Sequence, residues 1–198
     1  CIRDRKKELL KYKINSVIIG ADDFFHLPNE SKFGQSDWFR KQCPIIIGPW
    51  EVQLNWMQAT IQTFKDGGLF TYIPLSDRKE AKLKLQKIMF QPSDKVIIAE
   101  GTYCGKLEVD YNIFLSATYI DSKDKRLNKR RRSETKDKEL AKFIEKIVLP
   151  KEHRQVVKNK KRANIIVSKN FNQIKFNKIL KDKRLHANSK HAKAQSKR

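Results

Sequence analysis

The sequence is poor in the residues that mark specialised chains. Three cysteines, Cys1, Cys43 and Cys104, are spread over 198 residues. They are too few and too scattered for a disulfide scaffold or a structural zinc site. Seven glycines and six prolines exclude a collagen-like or linker-like chain. No apolar run approaches the roughly 18 residues needed to span a bilayer. No leader-like stretch precedes the first charged residues. Histidine is also scarce: His26, His153, His186 and His191 show no metal-ligand spacing. An intracellular, reducing setting, cytoplasm or mitochondrion, is the expectation. A chain that opens on Cys1 rather than Met is expected to continue a longer protein or to follow a processed segment.

Acidic residues are the other shortage: 22 Asp+Glu stand against 44 Lys+Arg, a net charge of +22. The excess is uneven. Residues 1–120 hold 17 basic and 14 acidic residues, whereas residues 121–198 hold 27 and 8. A polycation of that density steers toward a polyanion. RNA is favoured over an acidic protein surface. Lys129, Arg132, Lys181, Lys183, Arg184, Lys190 and Lys193 are the candidate nucleic-acid contacts. No aromatic RNA-recognition motif is present, so such binding would be driven by shape and phosphate.

What the chain does have is apolar patterning, with 39% hydrophobic residues, enough for a core. NSVIIG at 15–20 and KVIIAEG at 95–101 read as buried strands. ADDFFHLPNESKFG reads as a loop. Residues 50–66 repeat Leu54, Met57, Ile61 and Phe64 at helical spacing, and Gly67-Gly68 stops them. LFTYIPL reads as a strand ending at Pro74, KIMF as a short strand, and ANIIV as a late one. Leu140, Phe143, Ile144, Ile147 and Val148 sit at helical spacing within 121–160. Phe171, Ile174, Phe176, Ile179 and Leu180 are expected to anchor a short helix before a basic tail.

Short apolar strands alternating with helices imply an α/β fold: a three-layer, mostly parallel sheet. Two regions are expected, a domain over 1–170 and a basic extension over 171–198. Sites in such sheets lie beyond the carboxyl ends of the strands. That rule points to Asp22 and Asp23 after VIIG, and to Glu100 after KVIIA.

At those residues the sequence resembles the uridine kinase family of P-loop kinases, and it also looks like the nicotinamide riboside kinases. VIIGADDFF is similar to the family's strand with its acidic motif. KDGGLFTYIPLSD, QPSDKVIIAEG, DKRLNKRRRSE and LPKEHRQVVKNKKRANIIV resemble later family segments in consistent order, over roughly residues 1–170. The resemblance implies ATP and Mg²⁺ as cofactors and a nucleoside or related hydroxyl compound as substrate. It implies Asp22 as the general base, with Asp23 as alternative, and Glu100 near Mg²⁺ and the phosphates. It implies Arg126, Arg130 and Arg131 as lid arginines, and Phe25, Gln53, Tyr72 and Glu51 around the substrate. Gln53 stands where the family carries a ribose-binding Asp, and Glu51 is the nearby carboxylate that could replace it.

The string G-x-x-x-x-G-K-[ST], which cradles phosphate in such kinases, does not occur in residues 1–198. The family carries it on a first strand that would fall just before Cys1. Two readings stay open. In one, a strand and loop lie upstream and the protein is a kinase. In the other, the protein is an inactive kinase-like component of a large ribonucleoprotein, such as a ribosome of cytoplasm or mitochondrion. In both, some strand is expected to fill the slot of the missing one.

Overall fold

The computed structural model describes residues 2–26, 40–77, 82–121 and 138–177. Helix α1 (Ile2–Lys11) packs on strand β1 (Asn15–Gly20). The turn between them closes on Lys13 at φ 58°, with the Ile14 N–H returning to the Leu9 carbonyl at 3.1 Å. β1 pairs in parallel with β4 (Asp94–Glu100), Ser16 beside Val96 through Gly20 beside Glu100.

Between β1 and β4 lie helix α2 (Leu54–Lys65) and a hairpin of β2 (Phe70–Asp77) and β3 (Lys82–Met89). α2 begins four residues later than its periodicity suggests. Residues 49–51 form a 3₁₀ turn instead, and Val52 is held in a β-bridge to Phe25. The helix ends as its glycines require. Gly67 adopts φ 76°, and the N–H groups of Gly67 and Gly68 bond the carbonyls of Phe64 and Thr63 at 3.2 and 2.9 Å, a Schellman closure. β2 runs on past Pro74, which pairs with Leu85. A two-stranded ladder leaves β2 an open edge, where a residue without an N–H is tolerated. β3 is longer than KIMF, because KLKLQKI already alternates with the period of a strand.

The second half contains β5 (Ile113–Ser116), β6 (Ile165–Ser168) and β7 (Ile174–Phe176). β5 and β6 are parallel, and β7 returns antiparallel to β6. Over Phe171–Phe176 the expected helix is instead a hairpin strand, with Phe171 at φ 60° in its turn, and Ile179 and Leu180 lie outside the described residues. Residues 171–177, assigned from sequence to the basic extension, belong with the sheet. Helices α3 (Lys138–Phe143) and α4 (Leu149–Lys158) are joined without a break by a π turn at Ile144–Val148. Pro150 explains the turn. It has no N–H for the carbonyl of Lys146, and its ring would strike that carbonyl in an α-helix, so the backbone widens there.

Ile19, Phe24, Val52, Met57, Ile61, Ile73, Tyr103 and Leu107 form one core, and Ile47, Ile144, Val148 and Leu149 a second. The fold is mixed α/β. Among the described residues its strands form three ladders, two of which contain a parallel pair, rather than one continuous parallel sheet.

Candidate active site

The parallel register of β1 and β4 ends with Gly20 beside Glu100. Beyond that end, Ala21–Phe24 make a 3₁₀ turn carrying Asp22 and Asp23. The two strand ends touch at a point where only glycine fits. Gly101 adopts φ 146°, and a Cβ there would collide with that of Ala21. The sheet thus delivers three carboxylates to the carboxyl end of one strand pair, where α/β sheets hold their ligands. Asp22 is exposed, and Asp23 and Glu100 are half-buried.

Cys104, in the 3₁₀ turn Cys104–Lys106 that follows Glu100-Gly101 in the chain, is buried. Burial pushes its thiol up to about 12, and the negative charges of Glu100 and Asp22 push the same way. Both carboxylates therefore act on one buried atom. Sequence spacing did not connect Cys104 with either acid, because the link is tertiary. The thiol lies 4.0 Å from the sulfur of Met57 and serves as packing rather than as a nucleophile.

Past the acidic turn, the chain is zipped to the residues before α2. The His26 N–H donates to the Glu51 carbonyl at 2.9 Å, and the Gln53 N–H to the Phe24 carbonyl at 2.8 Å. A cleft of about 690 Å³ opens beside this zipper, lined by His26, Trp50, Gln53, Trp56, Lys106 and Gln155 among others. Of the substrate candidates, only Gln53 lines it. Phe25 packs half-buried against the core. The Tyr72 ring meets Phe70 edge-on, with centroids 5.9 Å apart, on the hairpin, while its carbonyl accepts the Trp56 indole N–H at 2.9 Å.

Glu51 is engaged elsewhere. One carboxylate oxygen takes the Arg40 Nε–H at 2.5 Å and the other the Gly48 N–H at 3.0 Å. Arg40 also reaches Glu152 on α4 at 3.3 Å, and all three side chains are more than nine-tenths buried. A carboxylate so held is a structural anchor for the cleft wall, and its expected role at the substrate is not what its hydrogen bonds serve. Sequence reading missed Arg40, Lys106 and Gln155, since nothing local marks residues that meet only through tertiary packing. Arg126, Lys129, Arg130, Arg131, Arg132, Lys181, Lys183, Arg184, Lys190 and Lys193 lie outside the described residues.

A second hollow of about 410 Å³ lies between α2, residues 107–112 and the start of β6. Several of its polar groups pair within it. The Gln58 amide pairs with both backbone groups of Glu108, at 3.1 and 2.8 Å. Lys65 meets Asp110 at 2.9 Å, and the Asn112 N–H meets the Asn164 side chain at 2.7 Å. Among the described residues no group of three or more His, Cys, Asp or Glu is arranged to hold a metal ion. No helix of the described residues is long and apolar enough to cross a membrane.

No protein-family model matches the sequence, and no curated protein does. Solved structures do. A protein from Silicibacter sp. TM1040, provisionally described as a fructose transport system kinase, superposes with a TM-score of 0.57 at 15% identity, covering 77% of this chain and 75% of that one. A protein from Bacillus stearothermophilus, provisionally described as a uridine kinase, gives 0.47 at 14% identity, over 83% and 78%. The first likeness speaks of fold alone: this chain shares the α/β fold of that protein.

Proposed function

We propose that the acidic strand ends and the adjoining cleft serve ATP-dependent phosphoryl transfer to a small hydroxyl substrate. The observation that carries the reading is the meeting of Asp22, Asp23 and Glu100 at the carboxyl end of a parallel strand pair, in a kinase-like fold. In this reading Asp22, exposed in the turn after β1, accepts the proton of the substrate hydroxyl as its oxygen attacks the γ-phosphorus, and ADP leaves. Asp23 is the alternative base. Lys106, in the cleft wall, is a described cation placed to meet negative charge there. Arg126, Arg130 and Arg131 are proposed to close over the phosphates.

Mg²⁺ fits this donor set. It binds nucleotide phosphates through its own waters and one or two carboxylates, without an all-protein cage. Glu100, with Asp23 of the neighbouring turn, would hold it, and it would neutralise charge on the phosphates. The reading requires a phosphate-binding loop that residues 1–198 do not contain, so the assay belongs to the protein in full.

That assay is Mg-ATP turnover over a panel of nucleosides and hexoses. Asp22→Asn is expected to lower kcat by about 100-fold or more while leaving Mg-ATP binding intact. Absence of Mg-ATP binding, or an Asp22→Asn variant as active as the parent, would overturn the proposal.

A second reading has its own observation. Residues 138–177 carry eleven Lys+Arg and three Asp+Glu, and one of those acids, Glu152, is buried against Arg40. A basic surface of this kind suits a polyanion such as RNA. Steep loss of RNA affinity with salt, in a protein that does not bind Mg-ATP, would favour it over the kinase.

A further inference from the structure

The elements that wall the cleft beside the zipper of His26 and Gln53 direct their own carboxylates elsewhere. Residues 48–56 carry one acid, Glu51, and α4 carries one, Glu152. Both are buried on Arg40. Among the described residues no carboxylate side chain lines the cleft. Cations do come to it. Lys106 lines it, and the Lys158 Nζ donates to the Oε1 of the lining Gln155 at 3.4 Å. The 3₁₀ turn of Lys106 packs on the 3₁₀ turn Asn159–Arg162, so closely that a Cβ at Gly105 would strike that of Asn159. That contact sets the exposed Lys160, Lys161 and Arg162 in the turn next to Lys106.

Such a lining fits a ligand with a flat ring and a negative charge. Trp50, 80% exposed, and Trp56 supply two indoles, and aromatic rings stack on bases of any identity. The Gln53 amide carries no charge to repel a phosphate. A neutral nucleoside gives the lysines nothing to neutralise, whereas a phosphate accepts charge-assisted hydrogen bonds from both. We propose that the acceptor is already phosphorylated: a nucleotide, free or at the end of an RNA strand, with its phosphate on Lys106 and Lys158. The proposal rests on the phosphoryl-transfer reading for its chemistry. A hydroxyl oxygen of the nucleotide bonds to the γ-phosphorus of ATP, the bond from that phosphorus to the ADP oxygen breaks, and the hydroxyl proton passes to Asp22.

The test is calorimetric titration of the full protein, with and without Mg²⁺ and a non-hydrolysable ATP analogue. The probes are uridine, uridine monophosphate, ribose 5-phosphate and a uridine tetranucleotide. The monophosphate is expected to bind roughly tenfold more tightly than uridine, and ribose 5-phosphate, which has no base to stack, roughly tenfold more weakly than the monophosphate. Lys106→Gln with Lys158→Gln, at exposed positions, is expected to erase the advantage of the phosphate and leave uridine binding unchanged. A tetranucleotide that binds more tightly than the monophosphate, with a steeper loss in salt, would assign the site to a strand end, and equal binding to a free nucleotide. Equal affinity for uridine and its monophosphate, an advantage that survives the double variant, or ribose 5-phosphate binding as well as the nucleotide would overturn the proposal. The kinase reading fails separately. Nucleotide preference without binding of the ATP analogue would remove the transfer step and keep the site, whereas turnover of neutral nucleosides without that preference would keep the kinase and remove this acceptor.

Discussion

The two parallel strand pairs are made of the same material. β1 and β4 carry SVIIG and VIIAE; β5 and β6 carry IFLS and IIVS. Their circumstances differ. β1 is covered by α1, and the turn after it drives Phe24 into a core shared with α2 and the hairpin. β5 and β7 present Ile113 and Ile174 to solvent. Apolar strands with no alternating polar face are the mark of sheets covered on both sides. The first pair buries Ser16 and Ile19 while Val96 stays 37% exposed, whereas the second leaves Ile113 and Leu115 open to solvent among the described residues. A strand's residues state how much cover it needs, and the rest of the fold decides whether that cover comes from the same chain.

The largest expected effect breaks the comparison at its core. Phe24 is fully buried, so Phe24→Ala should cost about 3–5 kcal/mol, whereas Ile174→Ala on the open face should cost about 0.5 kcal/mol or less. Urea denaturation of the two variants measures the gap, and equal losses would mean that the second sheet is covered in solution. Next is the clamp between the halves. Arg40→Ala strands Glu51 and Glu152 in a buried setting and should cost about 3 kcal/mol, near the low end for a broken buried pair, because Glu51 keeps the Gly48 N–H. A melt that improves on raising the salt would expose the stranded charges as the cause.

The smallest effect is a pH dependence confined to the first pair. The folded Cys104 thiol is raised above its ordinary 9.0 to about 12. A raised pKa contributes stability that is complete below 9.0 and is lost as the pH climbs toward the folded value. The loss should be on the order of 1 kcal/mol by pH 10. Cys104→Ala should remove that slope between pH 8 and 10 in parallel urea melts, and an unchanged slope would assign it to lysines or tyrosines.

Much of the first region was legible. VIIG followed by DD and VIIA followed by EG announce strands with acids at their carboxyl ends, and Met57 and Ile61 lie on the buried side of α2 as their spacing requires. The failures share a cause. Glu51 looked available because its partner Arg40 is eleven residues away and its second neighbour Glu152 sits on another helix. Phe171–Phe176 looked helical because six residues cannot distinguish a 3.6 period from a hairpin closed by tertiary pairing. Cys104 looked inert. It is inert chemically, yet the charges of Glu100 and Asp22 reach it.

The contact of Gly101 with Ala21 sets a tolerance. Where two strand ends meet through backbone and a single methyl, no rotamer can flex to absorb a displacement. The separation between the Asp22 turn and Glu100 is then a property of the main chain, as stiff as the ladder of β1 and β4 itself. The acids on either side can be exchanged without altering the gap they span. A methyl added at residue 101 would widen that gap while leaving every acid in place.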